Sequence, residues 1–502
     1  MEIAVTAVTN EVRPPRADRA PERHHGRRWL ILAVIAIAQL MVVLDATIVN
    51  IALPSAQADL GFSNDSRQWV VTAYSLAFGS LLLIGGRIAD LIGRKVTLVI
   101  GLVGFAAASA VAGAATNFEV LVAGRALQGV FGALLAPTAL ALLTTTFTDV
   151  KERATAFGIF GAVAGAGGGI GLLLGGVLTE HLNWRWCLYV NLIFAAVALI
   201  GALFLLPRHR PDKSVKIDLP GTVTATAGLF ALVYGFANAE HEGWSSAGTW
   251  AFLAVGVLLI TVFVRIQARV AHPLLPLRVL LDRNRGAASI AMFISAAGMF
   301  GVNLFLTYYL QQTLRYSPVE TGLAFLPMVG AVMIGTTLSS SVLNQRFGPK
   351  PIVPIGMALS AVGLTWLTGL DASSTYAAHV LPPLLLFGLG MGLVMAPAMS
   401  AATSGIDPAD AGVGSASVNT MQQIGGSIGT ALLSSLAAGA ATDFLAGKEA
   451  TPDLVAQSTL QSYSTAYEWS AALFAAGMVI CGLLFRRGAP VHDPRAAHTV
   501  HM

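Results

Sequence analysis

Val42-Val43-Leu44-Asp45-Ala46-Thr47-Ile48-Val49-Asn50-Ile51-Ala52-Leu53-Pro54 lies in the first long apolar run of the chain and places a carboxylate inside it. An ionised acid at the centre of a bilayer costs ~2.5–3.5 kcal/mol on insertion scales, so an acid in such a position is a functional-site hypothesis by default. The alternative is an Asp that bonds to a neighbouring helix for structure alone. Asp45 is the one acid deep inside a predicted membrane segment; Glu119, Glu320 and Glu468 stand within the first three residues of theirs.

The rest of the sequence decides what solvent surrounds this stretch. Of 502 residues, 55% are hydrophobic and 11% charged, against about 25% charged in soluble domains. The chain therefore reads as an all-α polytopic membrane protein, because lipid offers backbone groups no partners and helices satisfy their own. A spanning helix needs about 20 apolar residues. Fourteen segments qualify: 29–53, 69–86, 96–115, 119–142, 155–178, 187–206, 219–238, 249–266, 287–311, 319–340, 351–370, 379–400, 415–439 and 466–485. Ala56-Gln57-Ala58 resembles a signal cleavage site, but the apolar run before it is too long for a signal peptide core and carries Asp45 and Asn50, so a retained first helix is expected.

Lys and Arg set the orientation. With residues 1–28 as a cytoplasmic tail, 25 of the 30 basic residues fall on the cytoplasmic side, and four (Arg67, Arg185, Arg315 and Lys448) fall outside. An even helix count returns 486–502 to the cytoplasm as a second tail. The net charge of +4 thus reports membrane topology and not nucleic-acid binding. Cys187 and Cys481 sit in apolar runs and form no disulfide framework or metal site. The histidines show no metal-ligand spacing. The glycines of the fifth segment lie within an apolar span with no following Lys-Ser/Thr, so they are not a phosphate loop. No cofactor and no enzymatic constellation is expected.

An internal echo divides the chain. Gly93 and Lys95, after the second segment, correspond to Gly348 and Lys350, after the tenth, at an offset of 255 residues. The offset maps helices one to six (29–206) onto helices nine to fourteen (287–485) and leaves an inserted pair in 207–286. Two six-helix halves imply alternating access around a site near the midplane. Asp45 maps to Phe300, so the acid is not duplicated.

Three further patterns carry chemistry. Gly86, Arg87, Asp90, Gly93, Arg94 and Lys95 form a short turn between two helices. Asp90 there is expected either on the N-terminal end of a facing helix or on one of the arginines, holding the inner side shut. Arg125, Gln128, Gly129 and Gly132 share one helix face. Arg125 lies roughly 9 Å and Asp45 roughly 12 Å below the same surface at 1.5 Å per residue, so the two are candidates for one layer. The fifth helix is glycine-rich, including Gly161, Gly165, Gly168, Gly171, Gly175 and Gly176, and Gly161, Gly165 and Gly168 continue toward Gly175 along one expected stripe. Such residues permit close helix contact.

Together these stretches resemble the major facilitator superfamily. The Gly86–Lys95 turn is similar to its signature loop, and Leu44–Pro54 to the first-helix motif of its fourteen-helix drug:proton antiporter branch. Leu121, Arg125, Gln128, Gly129 and Gly132 resemble its helix-four motif. Asn183-Trp184-Arg185-Trp186, followed by Asn191, resembles the entry to helix six. Gly171–Gly176 resembles the antiporter motif of helix five, with Leu172 where a proline is expected, so transport direction does not follow from that motif alone.

The resemblance implies a monomeric, plasma-membrane exporter of lipophilic, often cationic compounds. A proton gradient would drive it through Asp45 and Arg125. Burial favours the neutral acid and a nearby guanidinium the charged one, and these opposed effects can change weight between states. Asn419 and Gln423 on helix thirteen either line a cavity or bond between helices. Asn303, Tyr308 and Tyr309 on helix nine, with Gln128, either belong to a substrate cavity or face lipid and neighbouring helices. A dedicated exporter of one metabolite or antibiotic uses the same fold, and a membrane enzyme or sensor is the remote alternative.

Overall fold

The computed structural model describes residues 22–63, 66–147, 149–207, 218–270, 273–275, 277–403, 411–449 and 451–486. The first six long helices are α1 (Glu22–Leu60), α2 (Gln68–Ile92), α3 (Arg94–Gly113), α4 (Phe118–Thr146), α5 (Val150–His181) and α6 (Trp186–Leu205). A hairpin follows, α7 (Leu219–Glu242) and α8 (Ala247–Gln267). The last six are α9 (Arg283–Tyr308), α10 (Pro318–Leu338), α11 (Pro349–Leu367), α12 (Leu381–Thr403), α13 (Ala411–Leu445) and α14 (Pro452–Leu484). Short π-helical turns extend α9 over Tyr309–Thr313 and α10 over Ser339–Leu343, and another leads into α12 over Tyr376–Val380.

Thirteen of these helices are each long and apolar enough to cross a membrane among the described residues, and α2, 25 residues long, occupies the remaining place. Large apolar side chains face outward on the rim, such as Phe204 on α6, Leu258 on α8 and Ile334 on α10. Water would disfavour that surface, and hydrocarbon accepts it.

Several helices run past the apolar segments that announced them. α1 continues to Leu60 where 53 was expected, and α14 begins at Pro452 where 466 was expected. The polar first turns of α14 are set by Thr451, whose side chain accepts from the Leu454 amide, and by Pro452 at the first helical position. Hydropathy registers only the lipid-facing length, whereas capping decides where the helix starts.

The repeat is visible in the packing. In the first half α1 packs on α4, α5 and α6, α2 on α4, and α3 on α4 and α6. In the second half α9 packs on α12, α13 and α14, α10 on α12, and α11 on α12 and α14. Each pairing is the other moved by eight helices. The halves meet along two seams, α2 with α13 and α5 with α10, and α7 of the inserted hairpin packs on both sides of the first seam. The turn glycines behave alike: Gly93 and Gly348 have φ of 96° and 70°, a backbone conformation that side-chain-bearing residues rarely adopt.

The end at which α1 starts and α14 finishes is called the tail end below, and the opposite one the far end. Hydrogen bonds between described residues join the halves at the far end. Tyr308 Oη donates to Gln57 Oε1 (2.8 Å), Gln311 Nε2 to Ile51 O (3.1 Å), and the Val319 amide to Glu180 Oε2 (3.0 Å).

Candidate functional site: a buried carboxylate held by three donors

Asp45 sits on α1 with no exposed surface. Its Oδ2 accepts from Arg125 Nη1 at 2.6 Å. Its Oδ1 accepts from Gln128 Nε2 at 2.8 Å and from Asn191 Nδ2 at 2.7 Å. The donors come from α4 and α6, so three helices converge on one carboxylate. Asp45 and Arg125, which the sequence put in one layer, are in direct contact.

A second set of bonds orients these donors. Arg125 also donates from Nη1 to Gln128 Oε1 (2.9 Å) and from Nε to the Val70 carbonyl of α2 (3.1 Å). Its guanidinium carbon lies 4.5 Å from the centroid of the Tyr74 ring, within cation–π range. Gln128 Nε2 also donates to Ser109 Oγ on α3 at 2.7 Å. Arg125, Gln128, Asn191 and Ser109 are all buried. Buried charges persist when they are paired and hydrogen-bonded, as here.

Glycines set this geometry. A Cβ at Gly129 would stand 2.3 Å from the Tyr74 carbonyl oxygen, and one at Gly132 would stand 2.8 Å from the Phe78 ring. Their absence lets α2 lie against α4, close enough for Arg125 to reach Val70 O. On the other side, α5 presses on the turn of α1 that carries the acid. A Cβ at Gly171 would meet Thr47 Oγ1 at 2.0 Å, and one at Gly175 would meet Ile48 O at 2.8 Å. Gly176 instead faces the start of α10, where a Cβ would stand 2.5 Å from Pro318 O. Leu172, in the place of the expected proline, is buried, and its carbonyl is 2.7 Å from a Cβ built on Gly322 of α10. A Cβ on Gly161 or on Gly168 would meet nothing within 4 Å among the described residues, so these two show no packing stripe with Gly175 there.

Between the acid and the far end lies a small apolar pocket lined by residues that include Val49, Leu53, Val70, Leu121 and Leu188. Beyond it the Asn183–Trp186 turn fastens α6 to its neighbours. Trp184 Nε1 and Arg185 Nη2 both donate to Asp59 Oδ2 at 3.0 Å, and Arg185 Nη1 donates to the carbonyls of Gly113 and Ala115.

At the tail end, the basic residues of the α2–α3 turn bond to carbonyls. Lys95 Nζ donates to Leu203 O (2.7 Å) and Leu206 O (2.8 Å) at the C-terminus of α6. Arg94 Nη1 donates to Ala141 O of α4 (3.2 Å), and Arg87 Nη2 to Pro273 O in the segment between the halves (3.1 Å). Cations at helix C-termini complement the partial negative charge there. A Cβ on Gly86 would make only ordinary contact with Pro137. Asp90, Gly165 and Asn419 lie within helices, but their side-chain surroundings are outside the described residues.

The residues expected around a substrate cavity separate. Gln128 has both ends of its amide engaged in the Asp45 cage and is not a cavity wall. Tyr308 closes the far end on Gln57, with Arg67 stacked 4.0 Å above its ring, and Tyr309 Oη donates to Asp371 O. An aromatic ring with a polar tip serves such a junction as well as it serves a pocket. Asn303 and Gln423 each keep a buried side-chain oxygen with no hydrogen-bond partner among the described residues, and Gln423 packs on Gly79 of α2 at the first seam. Asn191, Ser109 and Tyr74 were not expected in the cage. Only the position of Asn191 after the Asn183–Trp186 motif hinted at it.

A family model described as Major Facilitator Superfamily matches residues 35–430. The puromycin resistance protein pur8 of Streptomyces alboniger is 46% identical over 476 residues, covering 94% of each chain. The cephamycin export protein CmcT of Amycolatopsis lactamdurans is 40% identical, covering 80% of this chain and 83% of that one. The multidrug transporter protein MdtP of Bacillus subtilis is 31% identical, covering 82% and 76%. A solved bacterial homologue of the human lysosomal transporter Spinster superposes with a TM-score of 0.63 at 16% identity, covering 92% of this chain and 97% of that one.

Proposed function

The chain belongs to the major facilitator superfamily, a transporter family and not an enzyme family, and from that premise we propose that it is a proton-coupled exporter of lipophilic, cationic drugs or toxic compounds. The proposed site is the plasma membrane, with both tails in the cytoplasm, and the working unit a monomer. The relatives named for resistance and export support the direction. The excess of Lys and Arg at the tail end supports the orientation.

The observation that carries proton coupling is the Asp45 cage. A carboxylate without solvent exposure is paired at 2.6 Å with a guanidinium that is itself buried, so the cost of burying each charge is offset by the other. Protonation of Asp45 cancels the pairing and releases Arg125 from its strongest partner. Movement of α1 against α4 then changes the access of the site, and loss of the proton restores the pair. The pocket toward the far end is lined by apolar side chains, which offer an entering proton no hydrogen-bonding partner on that side. The far-end bonds between Tyr308 and Gln57 and between Gln311 and Ile51 are the contacts that outward opening must break.

The test is active efflux in everted vesicles carrying Asp45→Asn, compared with wild type per molecule of protein in the membrane. The expected result is loss of proton-driven accumulation of substrate with retained binding. Full active transport by that variant overturns the coupling role. A second reading, a dedicated exporter of one metabolite or antibiotic, draws on the resemblance to resistance proteins named for single antibiotics. Growth protection against a panel of unrelated toxic compounds separates the two: protection confined to one chemical class selects the dedicated exporter.

A further inference from the structure

The cage around Asp45 contains donors on every side. Arg125 Nη1 faces Oδ2, and Gln128 Nε2 and Asn191 Nδ2 face Oδ1. An ionised carboxylate suits such a cage. A protonated one does not, because its new O–H needs an acceptor and donors face both oxygens.

Two of the three donors cannot provide that acceptor. Arg125 has no acceptor atom at all. Gln128 has one, but Oε1 already accepts from Arg125 while Nε2 serves both Asp45 and Ser109. Turning its amide would break three bonds. Asn191 differs. Its Nδ2 donates to Asp45, and its Oδ1 is buried with no hydrogen-bond partner among the described residues. Opposite an ionised carboxylate the NH₂ must face the acid, since two oxygens in contact would repel. That fixes the amide orientation while the acid is charged.

We propose that Asn191 is the proton-reading residue of the site: its side-chain amide turns over when Asp45 takes up a proton, and Oδ1 then accepts the new O–H bond. The inference rests on the coupling role of Asp45 given above. The proton arrives on Oδ1, no other bond is made or broken covalently, and Gln128 Nε2 continues to donate to the same oxygen. The turn exchanges two atoms of similar size about one side-chain torsion, so the 2.7 Å contact becomes an O–H···O bond of ordinary length without backbone movement. Asn191 thereby keeps α6 attached to α1 in both protonation states, while the Arg125 contact of α4 weakens in one of them. The mobile partner is α4, and α6 is the fixed one. The charged and titratable groups around the acid are Arg125 on α4, Tyr74 on α2 and Cys187 on α6. On α3 the neighbouring group is the uncharged Ser109.

The test is infrared difference spectroscopy on the full-length protein in lipid, acid minus neutral, with asparagine labelled at the side-chain carbonyl carbon. The expected result is a carboxylic acid band that Asp45→Asn abolishes. A labelled amide carbonyl should shift to lower frequency with the same pH midpoint, as Oδ1 gains its bond. That amide shift should vanish in Asn191→Leu and, as a second and milder variant, in Asn191→Gln, which carries no label. A carboxylic acid band without any accompanying amide shift overturns the role of Asn191 and leaves Asp45 coupling intact. Absence of an Asp45 acid band across the working pH range overturns the coupling reading itself.

Discussion

Arg125 donates to Asp45 across 2.6 Å, with 1% and 0% of the two side chains exposed. Removing one member of such a pair strands the other charge and costs ~3–5 kcal/mol, while replacing both by uncharged groups is often neutral. Arg125→Met is therefore expected to lower the thermal midpoint and the membrane abundance sharply. The double variant Arg125→Met/Asp45→Asn should recover most of that loss while remaining inactive. Thermal unfolding of the four proteins as a double-mutant cycle checks this, and additive losses would show that the two groups are not coupled.

Lys95 closes the tail end of α6 by donating to Leu203 O and Leu206 O. A cation near a helix C-terminus contributes ~0.3–1 kcal/mol, more where partly buried. Lys95→Met should therefore lose about 1 kcal/mol of stability by thermal unfolding in detergent. Lys95→Arg should lose less, because the charge remains. An unchanged midpoint in Lys95→Met would mean that water caps those carbonyls equally well.

The Asp45–Arg125 contact was legible in the sequence, and the Asn191 contact was not. A charge inside an apolar run must find a partner, and counting residues from the far end put these two at similar depth. Asn191 is separated from Asp45 by 146 residues and is uncharged, so neither periodicity nor burial cost singled it out. Tyr308 and Tyr309 show the opposite failure. Their composition announced an amphipathic surface but not its partner, and Gln57 and the Asp371 carbonyl come from loops and helix ends that hydropathy does not resolve. The two-half architecture was legible because a turn glycine must keep its backbone conformation, as Gly93 and Gly348 do. The docking of α7 on both sides of the α2–α13 seam left no trace in the sequence, because an apolar helix reads alike whichever neighbour it meets.

Gly171 bears on the same turn of α1. A Cβ there would lie 2.0 Å from Thr47 Oγ1, but no closer than 3.1 Å to the backbone of α1. Gly171→Ala is thus expected to destabilise by about 1–3 kcal/mol, as overpacking does. The severe clash is with a single hydroxyl, while Leu44 O at 3.1 Å and Thr47 Cβ at 3.2 Å are tight contacts that small shifts relieve. Thr47→Ala in the same chain should restore stability and export, measured by thermal unfolding and by efflux of a fluorescent cation. Failure of that rescue would place the cost of Gly171→Ala elsewhere than at Thr47.

The far-end junction gives the sharpest check on alternating access. Tyr308 Oη and Gln57 Oε1 are 2.8 Å apart, on α9 and α1, so they belong to opposite halves. If those halves separate at this end during each cycle, a covalent bridge must stop transport and a weaker contact must favour the open form. Gln57→Cys/Tyr308→Cys, with Cys187 and Cys481 replaced by Ser, is expected to be bridged by a short, reducible bis-methanethiosulfonate reagent, because two long side chains that meet at their tips leave their Cα atoms too far apart for a direct disulfide. Efflux in whole cells should fall to background when the bridge forms and return on reduction. The milder Tyr308→Phe loses one hydrogen bond, about 0.5–1.5 kcal/mol. In the cysteine-free background it should raise the rate at which a thiol placed at Ala56, buried next to Gln57 on α1, reacts with a membrane-impermeant maleimide. Undiminished efflux by the bridged protein would mean that α1 and α9 stay together here throughout the cycle, and the opening would then have to be sought along the α5–α10 seam, at Gly176 and Pro318.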